Sequence, residues 1–254
     1  MIDLTEFKNF SKELADASSV VIKKYFRSEI NIESKPDKSP VTIADKKAEE
    51  IMRELISKHF PGHGIVGEEF GKTNKDAEFT WILDPIDGTK SFICGAYSFG
   101  TLIGLLHNGN PILGVCNHPI SNDFLIGDNS IAEINGVKST IRNCDDIKNA
   151  VLLTTDHLNI EKYQNWDKFY QLIKKVKLYR NWGDCYGYYL LATGYADIMI
   201  DPIMSPWDLL PLIPIIKGAG GVITDYQGND AVKGKSAVAS SKQIHSTVIS
   251  LLNS

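Results

Sequence analysis

The sequence predicts a chain of the α/β or α+β class, with helices packed on sheets in mixed layers. Two observations carry this. Apolar residues recur at helical spacing through the first 60 positions, and short apolar runs bounded by turn residues alternate with helical patterns through the C-terminal half. The size agrees: 254 residues, 43% hydrophobic and 23% charged, suit one large globular unit or two intimate subdomains with a sizeable core.

Taken in order, Leu4, Phe7, Leu14, Ala17, Val21 and Tyr25 share one face and Asp3 is available as a cap, so a long amphipathic helix is expected over 3–27. A second helix runs from about Ala44 to His59 with Ala48, Ile51, Met52, Leu55 and Ile56 inward, and Phe-Pro-Gly-His-Gly stops it. His59 and His63 at that stop read as capping or solvent residues. "GIVGEE" and "TWILD" read as strands ending in carboxylates. "SFGTLIGLLH" and "PILGVCNHP" read as a hairpin across His-Asn-Gly-Asn, with "DFLIG" completing a meander. "EINGVKST" and the polar stretch to "RNCDDIKN" look like a turn-rich crossing into a second half. The expected division is an N-terminal α+β subdomain, 1–140, and a C-terminal α/β subdomain, 141–254. In the latter, strands near 150–154, 176–180, 196–201, 221–225 and 236–240 alternate with helices at 161–175, 184–193, 206–218 and 242–253.

Composition narrows the function. The net charge is −4 and no basic block stands out, which argues against nucleic acid or an anionic membrane surface as partner. The start lacks the charged head and apolar run of a signal peptide, and no later run reaches membrane-spanning length, so a soluble cytoplasmic protein is expected. Cys94, Cys116, Cys144 and Cys185 are scattered with no C-x-x-C spacing, and read as free thiols in a reducing compartment rather than a metal site or disulfide frame.

"WILDPIDGTKSF", residues 81–92, sets an apolar run against two aspartates three apart. Pro-x-Asp-Gly is by itself ordinary turn chemistry. Yet "GEE" at 67–69 ends another apolar strand and "PWD" at 206–208 opens a helix, so several carboxylates converge if these ends meet. Two carboxylates ~4 Å apart repel by about 4 kcal/mol at an effective dielectric near 20, and a divalent cation removes that cost. The ligands on offer are all oxygen: Glu68, Asp84, Asp87, Asp208 and the Ile86 carbonyl. Such a set favours Mg²⁺ or Mn²⁺ over Zn²⁺, and Mg²⁺ commonly completes its shell with substrate phosphate. If the chain enters a helix after Asp87, the N–H groups of Gly88, Thr89 and Lys90 can point at a phosphate.

"GEE", "DPIDGT" and "WD" followed by "AGG", together with "PVTIADKKAEE" and "AGGVITDYQG", resemble the inositol monophosphatase family of Mg²⁺-dependent phosphomonoesterases over essentially the whole chain. The resemblance implies the αβαβα sandwich of the inositol monophosphatase/fructose-1,6-bisphosphatase type and a homodimer. By residue, it implies two or three Mg²⁺ ions held by Glu68, Asp84, the Ile86 carbonyl, Asp87 and Asp208, with Asp84 bridging two. Glu69 matches an acid supporting an additional, weaker ion, and Asp45 matches the acid that works with Thr89 to position a water. The implied chemistry is direct attack of a metal-activated water on phosphorus, without a phosphoenzyme.

"RNWGDCYGYYLLATGYADIMIDPIMSPWD" is similar to the family's histidinol-phosphatase branch, which implies histidinol phosphate as substrate, with inositol 1-phosphate or another small phosphomonoester as alternative. "GVCNHP" departs from the pattern, an acid or amide being expected near His118. Histidinol phosphate carries an ammonium and an imidazole, so Asp184 and Asp201, beside Gly183, are the candidate substrate acids. Asp184 as a plain helix N-cap is the competing reading. Tyr186 either packs in the core or faces the substrate, and Trp182 and Trp207 are core aromatics or pocket walls. A non-catalytic phosphate-binding member remains the other function class.

Overall fold

The computed structural model describes residues 2–29, 32–34 and 40–254. In chain order the elements are α1 (Thr5–Tyr25), β1 (Ile32–Ser34), β2 (Pro40–Thr42), α2 (Ile43–His59), β3 (Gly64–Gly67), β4 (Gly71–Thr73), β5 (Phe79–Asp87), α3 (Thr89–Ile93), β6 (Gly100–His107), β7 (Asn110–His118), β8 (Asp123–Gly127), β9 (Ala132–Ile134) and β10 (Val137–Ser139). They continue with β11 (Val151–Thr154), α4 (His157–Tyr163), α5 (Trp166–Ile173), β12 (Leu178–Arg180), α6 (Asp184–Ala192), β13 (Ile198–Asp201), α7 (Pro206–Leu209), α8 (Leu212–Gly218), β14 (Val222–Thr224), β15 (Ala237–Ser240) and α9 (His245–Asn253).

Among the described residues, one sheet has the order β10-β9-β8-β7-β6-β5-β3-β4, antiparallel except for β3 beside β5. A second has the order β12-β11-β13-β15-β14, parallel through its first three strands. The period-two alternation of strands sorts their residues into layers. Trp81 and Leu83 of β5 face out, where Phe10 and Leu14 of α1 and Met52 and Ile56 of α2 cover them. Ile82 faces in, toward Tyr188 and Leu191 of α6, Ile215 and Ile216 of α8, and the near face of the second sheet at Leu153 and Met199. Ile198 and Ile200 face away again, under Phe169 and Leu172 of α5 and Val248 and Leu252 of α9. Helices, sheet, helices, sheet, helices make the αβαβα sandwich. By the same alternation Asp84 and Asp201 fall on the inward faces of their sheets, toward the central layer.

Four expectations change. The helix expected over 161–175 is two helices, because Gln164 and Asn165 turn extended and the Asn165 side chain accepts from Lys168 N at 3.1 Å to start α5 anew. The helix expected over 206–218 is likewise divided into α7 and α8, since Pro211 and Pro214 have no N–H to continue the ladder. "EINGVKST" is not a crossing: Asn135 and Gly136, at φ 49° and 79°, form a two-residue turn joining β9 to β10 at the edge of the first sheet. The short strands β1, β2 and β4 have no apolar pattern to announce them. His63 is half-buried rather than a solvent residue; it is stacked on Phe60 and accepts the Trp81 indole N–H at 3.1 Å.

Candidate active site

Residues three apart on a regular strand point to opposite faces. Asp84 and Asp87 escape this because the β5–β6 register shifts between them: Asp84 stands opposite Leu102 and Asp87 opposite Gly100, three steps on one strand against two on the other. Pro85 lies in the bulge with its carbonyl taken by the Thr101 hydroxyl at 2.9 Å, and Asp84 Oδ1 accepts from Ile86 N at 3.0 Å. The two carboxylates therefore meet, and Asp208 joins them, one oxygen of each lying within 4.8 Å of the others.

Asp208 reaches the cluster from the first turn of α7. With Ser205 it forms a capping box, Oδ2 accepting from Ser205 N at 2.8 Å, while Pro206 presets the helix start. Asp45 is held by the same device at α2: its Oδ2 accepts from Thr42 N at 2.8 Å and Thr42 Oγ1 at 2.6 Å, leaving Oδ1 3.4 Å from Thr89 Oγ1. The Thr89 hydroxyl also donates to the Ile86 carbonyl at 3.1 Å.

Burial sets the electrostatics. Asp84 is 2% exposed, and burial, then Glu68, Asp87 and Asp208, push its carboxyl well above the usual range. Burial, then Asp184 and Asp208, do the same to Asp87. Asp208 is pushed to about 7, chiefly by burial, and burial also raises Asp45. Groups that cannot all ionise without a counter-charge fit a hard divalent cation, and the donors are oxygen throughout.

A cleft of about 400 Å³ opens on this cluster, with Glu68, Asp87, Thr89 and Asp208 in its lining. Gly88 caps α3 at φ 87°, a left-handed conformation that an L side chain would strain. Asp184 and Asp201 line the same cleft. Burial followed by the Asp201 charge pushes Asp184 to about 7, and burial pushes Asp201 to about 6 against hydrogen bonds from Thr155 and Tyr188. Asp184 is not the N-cap of α6; Gly183 holds that position, and a Cβ there would lie 2.1 Å from Thr155 Cα. Asp184 is the first helical residue, its N–H on Thr155 Oγ1 at 2.8 Å. Cys185 N donates to Asp87 Oδ2, tying α6 to the carboxylate cluster.

Glu69 follows Glu68 at the "GEE" turn but is absent from the cleft lining, as are the more deeply buried Asp45 and Asp84. Tyr186 and Trp182 line a separate cavity beside His118, and Trp207 packs partly buried against the central core.

The family model of the inositol monophosphatase family matches residues 3–254. A bifunctional chloroplastic phosphatase of Arabidopsis thaliana is 46% identical over 89% of this chain, which spans 66% of that relative's length. A histidinol-phosphatase of Chlorobaculum parvum is 38% identical over 87% of this chain and 86% of its own. Among solved structures, an inositol monophosphatase from Zymomonas mobilis superposes with a TM-score of 0.89 at 33% identity, covering 100% of both chains.

The chain belongs to the inositol monophosphatase family. With it, the chain joins the phosphoric monoester hydrolases, and the family is metal-dependent. In this member of the inositol monophosphatase family the sequence reading missed Glu49. Its carboxylate is fully buried and accepts from Glu69 N at 2.7 Å, Phe70 N at 3.1 Å and Arg53 Nε at 2.7 Å, so it clamps the turn that carries Glu68. The i,i+4 pairing of Glu49 with Arg53 was visible, but it also describes a solvated helix face. Thr155, which holds Asp184, had no signal at all.

Proposed function

We propose that this chain is a Mg²⁺-dependent phosphomonoesterase that hydrolyses histidinol phosphate to histidinol and phosphate by direct attack of water. The observation that carries the phosphatase reading is the convergence of Asp84, Asp87 and Asp208 on one point, with Asp87 and Asp208 lining a cleft. Glu68, Asp84, the Ile86 carbonyl, Asp87 and Asp208 would hold two or three Mg²⁺ ions, Mn²⁺ substituting, and Glu69 would support the weakest. Bound there, the ions supply positive charge to the phosphate oxygens and make water more acidic.

The chain's own residues do the rest. Asp45 has one oxygen committed to Thr42 and the other facing Thr89, a pair placed to orient the attacking water and take up its proton. Asp87, Gly88 and Thr89 line the phosphate end of the cleft, and Gly183 lets the start of α6 pack against Thr155, whose hydroxyl accepts the Asp184 N–H. Asp184 and Asp201 receive the amine and imidazole; an arriving cation favours ionisation of the two acids that burial had raised. Similarity to the histidinol-phosphatase of Chlorobaculum parvum supports this substrate.

Phosphate release from histidinol phosphate, myo-inositol 1-phosphate and fructose 1,6-bisphosphate, compared before and after exhaustive chelation, tests the reading. The expected result is Mg²⁺-dependent turnover with the highest kcat/KM for histidinol phosphate. Preference for inositol phosphate would leave a general small-molecule phosphatase, and no turnover of any ester would leave a phosphate-binding protein. The reading includes a cytoplasmic homodimer: four unpaired cysteines suit a reducing compartment, and analytical ultracentrifugation checks the dimer.

A further inference from the structure

Cys116 and Cys185 lie 69 residues apart in sequence, yet the fold sets their thiols beside the His118 imidazole, with one donor atom of each within 4.8 Å of the others. Cys116 and His118 share this face of β7 by period two, and Cys185 arrives from the first turn of α6. Both cysteines are fully buried and His118 is 3% exposed.

We propose that Cys116, His118 and Cys185 form a binding site for a thiophilic divalent cation such as Zn²⁺, separate from the acidic cleft. The donor set is two sulfurs and one imidazole nitrogen, which selects against Mg²⁺ as firmly as the carboxylates select for it. The imidazole is set for the task. His118 Nδ1 lies 2.8 Å from the Phe99 carbonyl, so that nitrogen carries the proton and Nε2 presents its lone pair to the thiols. Nε2 lies 3.4 Å from Cys116 Sγ. A tetrahedral Zn²⁺ with Zn–S near 2.3 Å and Zn–N near 2.0 Å requires an S···N edge of roughly 3.5 Å.

Entry has a route. His118 lines a cavity of about 410 Å³ whose other walls include Tyr97, Asp123, Trp182, Tyr186 and Tyr189. Asp123 lines it with its Oδ2 accepting from the Tyr189 hydroxyl at 3.2 Å. A metal on Cys185 also restrains the residue whose N–H holds Asp87, which couples this site to the acidic cluster.

The test uses the full chain, reduced and stripped of metal, with Mg²⁺ at saturation to occupy carboxylate sites. Titration with Co²⁺ should give one equivalent of bound ion with a thiolate-to-cobalt charge-transfer band, which oxygen ligands cannot produce, and Zn²⁺ should displace it. The band should persist in Cys94→Ser, whose cysteine is exposed and distant in role, and vanish in Cys116→Ser. Absence of the band in the wild type, its loss in Cys94→Ser, or its survival in Cys116→Ser would each overturn the site. Should Cys116→Ser fail to fold, alkylation of the wild type in mild urea decides: Zn²⁺ should protect Cys116 and Cys185 and leave Cys94 reactive, and equal labelling with and without Zn²⁺ overturns the proposal.

Discussion

Asp84 sits where a carboxylate is least comfortable, buried on a strand with Asp87 and Asp208 as neighbours. Such a residue costs the metal-free protein stability and is tolerated for what it binds. Asp84→Asn should therefore abolish phosphate release while leaving the metal-free protein as stable as the wild type or more so, which activity assays and thermal melts of both proteins check together. Asp184 and Asp201 make the substrate prediction. If they receive the cationic end of the ester, Asp184→Asn and Asp201→Asn should each weaken kcat/KM for histidinol phosphate by roughly 1.5–3 kcal/mol, the range for a hydrogen bond to a charged group. A nitrophenyl phosphate, which has no cationic tail, should lose much less. Equal losses on the two esters would remove the substrate role from both acids.

Secondary-structure elements deliver these side chains, and they do so through their ends. Two capping boxes, at the starts of α2 and α7, each spend one carboxylate oxygen on a helix terminus, which pins Asp45 and Asp208 before any ligand arrives. Glu49 plays the corresponding part for the "GEE" turn from the middle of α2. Glu49→Ala leaves two backbone N–H groups and the Arg53 guanidinium without their acceptor, a loss of about 3–5 kcal/mol for breaking a buried charged pair from one side. Glu49→Gln keeps the shape and one acceptor oxygen, so it should fold more stably than the alanine variant and still need a higher Mg²⁺ concentration for half-maximal activity. Chemical denaturation and Mg²⁺ titration of the two variants separate the structural effect from the positioning effect.

At the scale of the whole molecule the two sheets press their inward faces onto one central layer, and the raised acids make that layer pH-sensitive. Asp208 and Asp184 titrate near 3.8 in the unfolded chain and at about 7 in the folded one. Between these values the native state holds more protons than the unfolded state, so stability falls as pH rises through the window, and above about 7 the full penalty applies. Metal-free protein should accordingly melt at lower temperature at pH 8 than at pH 5. Mg²⁺ should reverse the trend, contributing about 2.7 kcal/mol at 100 times its Kd and more strongly at the higher pH, where the carboxylates are free to bind it. Differential scanning calorimetry across pH 5–8, with chelator and with Mg²⁺, tests both limbs; a metal-free protein equally stable at both ends contradicts the burial of these acids.

Local pattern determined a good deal. The 3.6-residue spacing of Phe7, Leu14 and Val21 made α1 legible, and the runs around Ile82 and Ile103 made β5 and β6 legible, because hydrophobic periodicity is a property of neighbours in sequence. Motif chemistry likewise drew attention to Asp84, Asp87 and Asp208 before any fold was known, and the family resemblance added Asp45. What periodicity could not place were features created by one local exception or by distant partners. The breaks at Asn165 and Pro211 came from single residues overriding an apolar pattern that ran straight through them. The bulge that turns Asp84 and Asp87 to one side exists only in the pairing with β6, and the clamp of Glu49 on Glu69 spans 20 residues. Cys116, His118 and Cys185 show the limit most plainly. Scattered thiols read as inert along the chain, and only the packing of α6 against β7 set two of them around an imidazole, because spacing in sequence carries no information about which strand a helix will cover.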